Sequence, residues 1–236
     1  VSEPAREPLL RGTDGATFDR LFAEGAEALA TGSYGIQVVP AEGDRRWGVS
    51  ALLRPDSRAA ASVETLTCEA VAVAGDGHWL TGAVGNSHLT MRALEYPRDD
   101  VEDDDPSVAR YADALRAASV GVRPLTFEVT GLTLTRLSVM ACARPVDEAA
   151  DRLSAAYAQA LGPDAWLEKE FHREIWYLNL VHFAAAIRDP HRLIRWVAER
   201  RRVAPIRLRV TEVEIASWLF TGTGMTPRRL AATVLG

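Results

Sequence analysis

Asn86-Ser87-His88-Leu89-Thr90-Met91-Arg92 is the stretch on which the reading of this chain turns. Strand side chains alternate between faces, so Asn86, His88, Thr90 and Arg92 are expected on one side. An imidazole, a hydroxyl and a guanidinium in one row make a site for an anion. A second histidine sits in a similar run, Leu178-Asn179-Leu180-Val181-His182-Phe183-Ala184-Ala185-Ala186-Ile187. Two histidine strands, one per half of the chain, point to a reaction run by paired histidines. The second strand carries Ala184 where the first has Thr90.

Working outward, the order of elements repeats. The His88 strand leads to a helix over Ser107–Ala118 and to strands over Leu125–Val129 and Ser138–Ala143. The His182 strand leads to a helix with Asp189 as cap and Pro190 in its first turn. Strands over Ile206–Val213 and Ile215–Phe220 follow. The spacing supports an internal duplication. His88 precedes Thr130 by 42 positions and His182 precedes Thr211 by 29, and the difference of 13 matches the acidic stretch from Tyr96 to Val108. That stretch, with Asp99, Asp100, Glu102, Asp103, Asp104 and Asp105, reads as an insertion beside the first histidine. It is expected to be a solvated loop, or a lid or partner site that repels long nucleic acid from the cleft.

Upstream, residues 1–16 form a flexible lead-in rich in Pro, Gly and charge. Helical spacing covers Thr17–Thr31, with Gly25 as an interruption. A strand over Trp47–Leu53 and a helix over Ser57–Ala72, with Ser57 as cap, precede the turn at Gly75-Asp76-Gly77. A connecting helix over Val146–Leu161 ends at Gly162-Pro163.

Composition narrows the function classes. A chain of 236 residues buries a sizeable core, and a net charge of −5 argues against tracking a long polyanion. A small phosphorylated or nucleotide-like ligand remains compatible. Lys169 is the only lysine, so mechanisms needing a lysine elsewhere are excluded. Cys68 and Cys142 have no metal or redox spacing, and no run is long enough to cross a bilayer. The start lacks a basic-then-apolar signal pattern. A reduced, cytoplasmic protein without metal or cofactor is expected, its oligomeric state open.

Two histidines across a cleft suit general acid–base work near neutral pH. One deprotonates water while the other protonates the leaving oxygen, and a hydroxyl two residues on binds phosphoryl oxygens. Here the chain resembles the 2H phosphoesterases, which include RNA 2′,3′-cyclic phosphodiesterases and related RNA ligases. Their signature is a repeated His-apolar-Ser/Thr-apolar strand. His88-Leu89-Thr90-Met91 fits it, whereas His182-Phe183-Ala184-Ala185 lacks the hydroxyl. The resemblance runs from about Trp47 to the end.

It implies an α+β fold of two pseudo-symmetric lobes, roughly 47–145 and 146–236, within one unit over 17–236. Antiparallel sheets would face a central cleft, with helices outside. It further implies metal-independent hydrolysis of a small cyclic-phosphate or nucleotide-like ester by His88 and His182, with Thr90 on a phosphate oxygen. Arg92, on the same face, is expected to offset the loss at Ala184. Two alternatives stay open: the cleft serves another reaction on a specialised metabolite, or it binds a ligand or protein without catalysis. His78, His172 and His191 read as structural or surface residues, and Trp47, Trp176 and Trp218 as core. Arg200, Arg201 and Arg202 close a helix. Gly222-Thr223-Gly224 is too short for a phosphate-binding fingerprint.

Overall fold

The computed structural model describes residues 15–98, 101–102, 104–169 and 173–236. Most of the expected lead-in, together with Asp99, Asp100, Asp103 and His172, lies outside the described residues.

Five helices are described: α1 (Ala16–Ala30), α2 (Ser57–Ala74), α3 (Pro106–Ala118), α4 (Ala149–Leu161) and α5 (Pro190–Ala198). The interruption in α1 has a packing cause. A Cβ on Gly25 would lie 2.8 Å from the carbonyl carbon of Leu134, so glycine lets the helix lie against the sheet. The cap of α2 is Asp56 rather than Ser57, its carboxylate accepting from the Ala59 N–H at 3.0 Å. Asp189 caps α5 as expected, accepting from the Arg192 N–H at 2.9 Å. α4 stops at Gly162, which has a φ of +54°, and two short 3₁₀ turns follow (Gly162–Ala165 and Leu167–Lys169).

The strands are β1 (Ser50–Leu53), β2 (Trp79–Leu80), β3 (Leu89–Ala93), β4 (Leu125–Leu134), β5 (Ser138–Pro145), β6 (Trp176–His182), β7 (Ile206–Val210), β8 (Glu212–Phe220) and β9 (Met225–Val234). They form two antiparallel sheets, ordered β3-β1-β8-β9 and β2-β6-β5-β4-β7. The molecule is therefore α+β. Each sheet draws strands from both sides of residue 145, because β4 and β5 join β6 while β8 and β9 join β1. α1, α2 and α5 pack on the five-stranded sheet, and α3 packs on β8 and β9. β3 and β6 come together where the sheets meet.

Two differences from the expected strands have physical reasons. β9 contains Pro227, Arg228 and Arg229, which weaken a strand pattern, yet it is the edge strand, where proline and charge are tolerated. β6 ends at His182 although the apolar run continues to Ile187. Beyond His182 the backbone leaves the sheet: the Phe183 N–H donates to the Leu137 carbonyl and the Ile187 N–H to the Tyr34 hydroxyl.

One buried cluster spans both sheets and the helices. Trp176 is part of it, its indole N–H donating to the Asp151 carboxylate at 2.9 Å. Among the described residues, no helix is long and apolar enough to cross a membrane.

Candidate active site

Between β3 and β6 lies a half-open cavity of about 640 Å³, counted to its mouth. His88, Thr90 and Ala93 line it from β3 and the residue before it; Tyr177, Asn179 and His182 line it from β6. Arg45, Arg46 and Trp47 close one side, with Trp218 from β8 and Arg173 from the segment before β6. The two predicted histidines thus share one cavity, together with Thr90.

His88 is buried, and its Nδ1 lies 2.7 Å from the Asn86 carbonyl. A carbonyl only accepts, so Nδ1–H donates and Nε2 keeps its lone pair. Burial is the main reason its pKa falls, to about 4; Arg54 and Arg173 push the same way. His182 is held differently. Its Nδ1 is 3.1 Å from the Thr81 hydroxyl, and its Nε2 is 3.5 Å from an Arg46 nitrogen, at the long end for a hydrogen bond. Arginine only donates, so Nε2 accepts and Nδ1–H donates to Thr81. Burial, then Arg46 and His88, hold its pKa well below the ordinary histidine value. Both rings are therefore neutral near pH 7.

An aromatic row separates them. His88 lies 5.0 Å from Trp218 with the rings tilted, Trp218 lies 4.9 Å from Trp47, and Trp47 lies 4.9 Å from His182. Trp47 has a φ of +69°, uncommon for so bulky a residue. Its indole N–H is buried without a partner. The expectation that all three tryptophans are core holds for Trp176 and not for Trp47 or Trp218, which face the cavity. The adjacent Gly48 admits no side chain, since a Cβ would strike the Glu95 carbonyl oxygen.

Arg92 does not line the cavity. Its guanidinium lies 3.6 Å from Glu168. The cause is a bulge: β1 pairs Leu52 with Thr90 and Ala51 with Arg92, leaving Met91 unmatched. A bulge shifts the alternation by one, so Ala93 takes the face that Arg92 was expected to hold. Glu168 also fixes Arg173, accepting from its Nε at 2.7 Å. Ala184 is off the strand and outside the cavity, its N–H donating to His78 Nδ1 at 3.3 Å. Asp105, from the acidic stretch, binds Arg98 at 2.6 Å and accepts from the Ser107 N–H at the start of α3. Sequence reading missed Arg45, Arg46, Arg173, Tyr177 and Asn179. The pair Arg45-Arg46 ahead of a tryptophan was the available signal.

No family model matches the sequence, and no curated protein is similar to it in sequence. Solved structures are similar in fold. TT0787 of Thermus thermophilus matches with a TM-score of 0.53 at 16% identity, over 80% of this chain and 97% of that one. E. coli LigT in its apo form matches at 0.51 and 11% identity, with the same coverage. LigT has also been solved with phosphate, with ATP and with 3′-AMP, each matching at a TM-score of 0.50. The fold is that of the 2H phosphoesterases.

Within the 2H fold the twofold relation between the sheets can be read from register. β3 runs antiparallel to β1 and β6 runs antiparallel to β5, and each of these pairings carries one bulge. In β3 the unmatched residue is Met91; in β6 it is Leu180, between Asn179 paired with Met140 and Val181 paired with Val139. Superposing the bulges sets Tyr177 against His88, Asn179 against Thr90 and His182 against Ala93, an offset of 89 residues. Pairing His88 with His182 needs an offset of 94, which the bulges do not support. By that register Tyr177-Leu178-Asn179-Leu180 stands opposite His88-Leu89-Thr90-Met91, and His182 enters the same cavity further along β6.

Proposed function

We propose that this protein hydrolyses phosphodiesters of small, nucleotide-like molecules, with His88 as general base. The observation that carries the reading is the His88 ring. Its Nδ1–H is fixed on the Asn86 carbonyl, and its basic Nε2 belongs to a cavity walled by arginines. A neutral, oriented imidazole takes a proton from water as the oxygen attacks phosphorus. Arg46 and Arg173 offset the phosphoryl charge, the part expected of Arg92, and Thr90 hydrogen-bonds one of its oxygens. His182 is the second histidine of the pair, and as a neutral acceptor it positions Arg46. Trp47 and Trp218 offer flat apolar surface for a base or another ring. The phosphate, ATP and 3′-AMP bound to LigT, which has the same fold, support ligands of this class.

The test is turnover of 2′,3′-cyclic nucleotides and of a short RNA ending in a cyclic phosphate, with a chelator present. Hydrolysis by the full chain and its loss in His88→Ala are expected. Wild-type protein with no turnover above background, or a His88→Ala variant as active as wild type, would overturn the reading.

A further inference from the structure

The matched bulges place a phenol where twofold symmetry calls for a second histidine. Tyr177 lines the cavity with His88, and Arg173 lines the same cavity, its positive charge near enough to interact with the phenol. Arg173 is itself fixed by Glu168. Asn179, opposite Thr90 by the same symmetry, lines the cavity too, and its buried Oδ1 has no partner within the protein.

We propose that Tyr177 is the catalytic proton donor to the leaving oxygen, and that the reaction runs on a histidine–tyrosine pair. The proposal rests on the hydrolase reading above. In the forward step His88 Nε2 takes one proton from water, and the water oxygen bonds to phosphorus. The bond from phosphorus to the leaving oxygen breaks, and that oxygen keeps the electron pair and receives the phenolic proton. Arg173 stabilises the phenolate left behind. The imidazolium then returns its proton through solvent to the phenolate, so both groups reset and one water is consumed. His182 does not fill this role: its Nε2 lone pair faces the Arg46 cation, and a proton there would set two positive charges against each other.

A leaving-group comparison tests this. A 2′,3′-cyclic nucleotide expels an alkoxide that needs a proton, whereas bis(4-nitrophenyl) phosphate expels a phenolate that does not. In Tyr177→Phe, kcat on the cyclic nucleotide should fall about 100-fold or more, as for removal of a general acid. On the nitrophenyl ester it should change by less than about threefold. Thermal unfolding of Tyr177→Phe beside wild type checks that only the hydroxyl is missed. His182→Gln, which disturbs Arg46, should weaken both substrates alike. Equal losses on both substrates in Tyr177→Phe, or none, would overturn the proposal while the hydrolase reading stands. So would a leaving-group-selective loss in His182→Gln. Wild-type protein inert toward both esters would sink the hydrolase reading and this assignment with it.

Discussion

Acidification offers a direct measure of how the two cleft histidines are held. Unfolded, His88 titrates near 6.5; folded, burial holds it at about 4. A base whose folded pKa is depressed binds more protons when unfolded, so stability is full above about pH 6.5 and is lost as pH falls toward 4. Between pH 7 and pH 5 these two pKa values remove about 2 kcal/mol, and about 3 kcal/mol once pH is below both. His182 is displaced in the same direction and steepens the loss. The assay is urea unfolding of wild type and His88→Gln at pH 7 and pH 5. Groups that do not sense His88 cancel in the double difference. The stability gap between the two proteins should shift in favour of His88→Gln by about 2 kcal/mol on going to pH 5. With a slope near 2–3 kcal/mol per molar urea, that is a relative midpoint shift on the order of 1 M. A gap independent of pH would refute the burial reasoning, and with it the neutral base.

Other perturbations separate the cavity from its surroundings. Arg46→Met removes a charge-assisted contact and should weaken binding of 3′-AMP by about 10- to 100-fold in calorimetry; unchanged affinity would take Arg46 out of the site. Arg92→Ala should leave that affinity within about twofold, because Arg92 faces Glu168 and not the cavity, and a tenfold loss would contradict its placement. Gly25→Ala should lower the melting temperature by about 2–6 °C, since overpacking against Leu134 outweighs the gain in helix propensity. A raised melting temperature would mean that α1 does not approach β4 so closely.

The first motif was legible because its information is local. His88 and Thr90 are two residues apart, before the bulge, so the alternation that sequence implies is the one the strand keeps. The same rule failed for Arg92, one residue past the bulge, and nothing in Met91-Arg92 marks it. In the second half, histidine identity pulled the alignment to His182, while the register that decides equivalence depends on how β6 pairs with β5. Helices with a strong cap were placed within a residue or two, as Asp189-Pro190 shows. β9 went unseen because an edge strand carries proline and arginine that a central strand would not. The exchange of strands between halves was also out of reach. β4 and β8 have ordinary strand sequences, and only long-range pairing decides which sheet each one joins.

The chain is acidic overall, yet three arginines, Arg45, Arg46 and Arg173, line its cavity against one carboxylate, Glu95, and that local imbalance bears on pH dependence. Among the described residues Arg46 has no carboxylate within ion-pair distance, and burial lowers its pKa. Arg54 and Arg173 add to the field that keeps His88 unprotonated. A phosphoryl anion entering the cavity reverses the sign of that field at His88 Nε2, while further desolvation acts the other way. At contact distance the added negative charge dominates, so His88 becomes more basic as substrate binds. Because kcat/KM reports the free enzyme and kcat the complex, the two profiles must separate. The acid limb of kcat/KM should fall near pH 4, and that of kcat should lie higher, toward the ordinary histidine range. Rates measured from about pH 3.5 to 8 on a cyclic nucleotide decide the matter. Coincident limbs would show that bound substrate does not reach the field around His88, and a kcat limb lower than that of kcat/KM would show that desolvation wins.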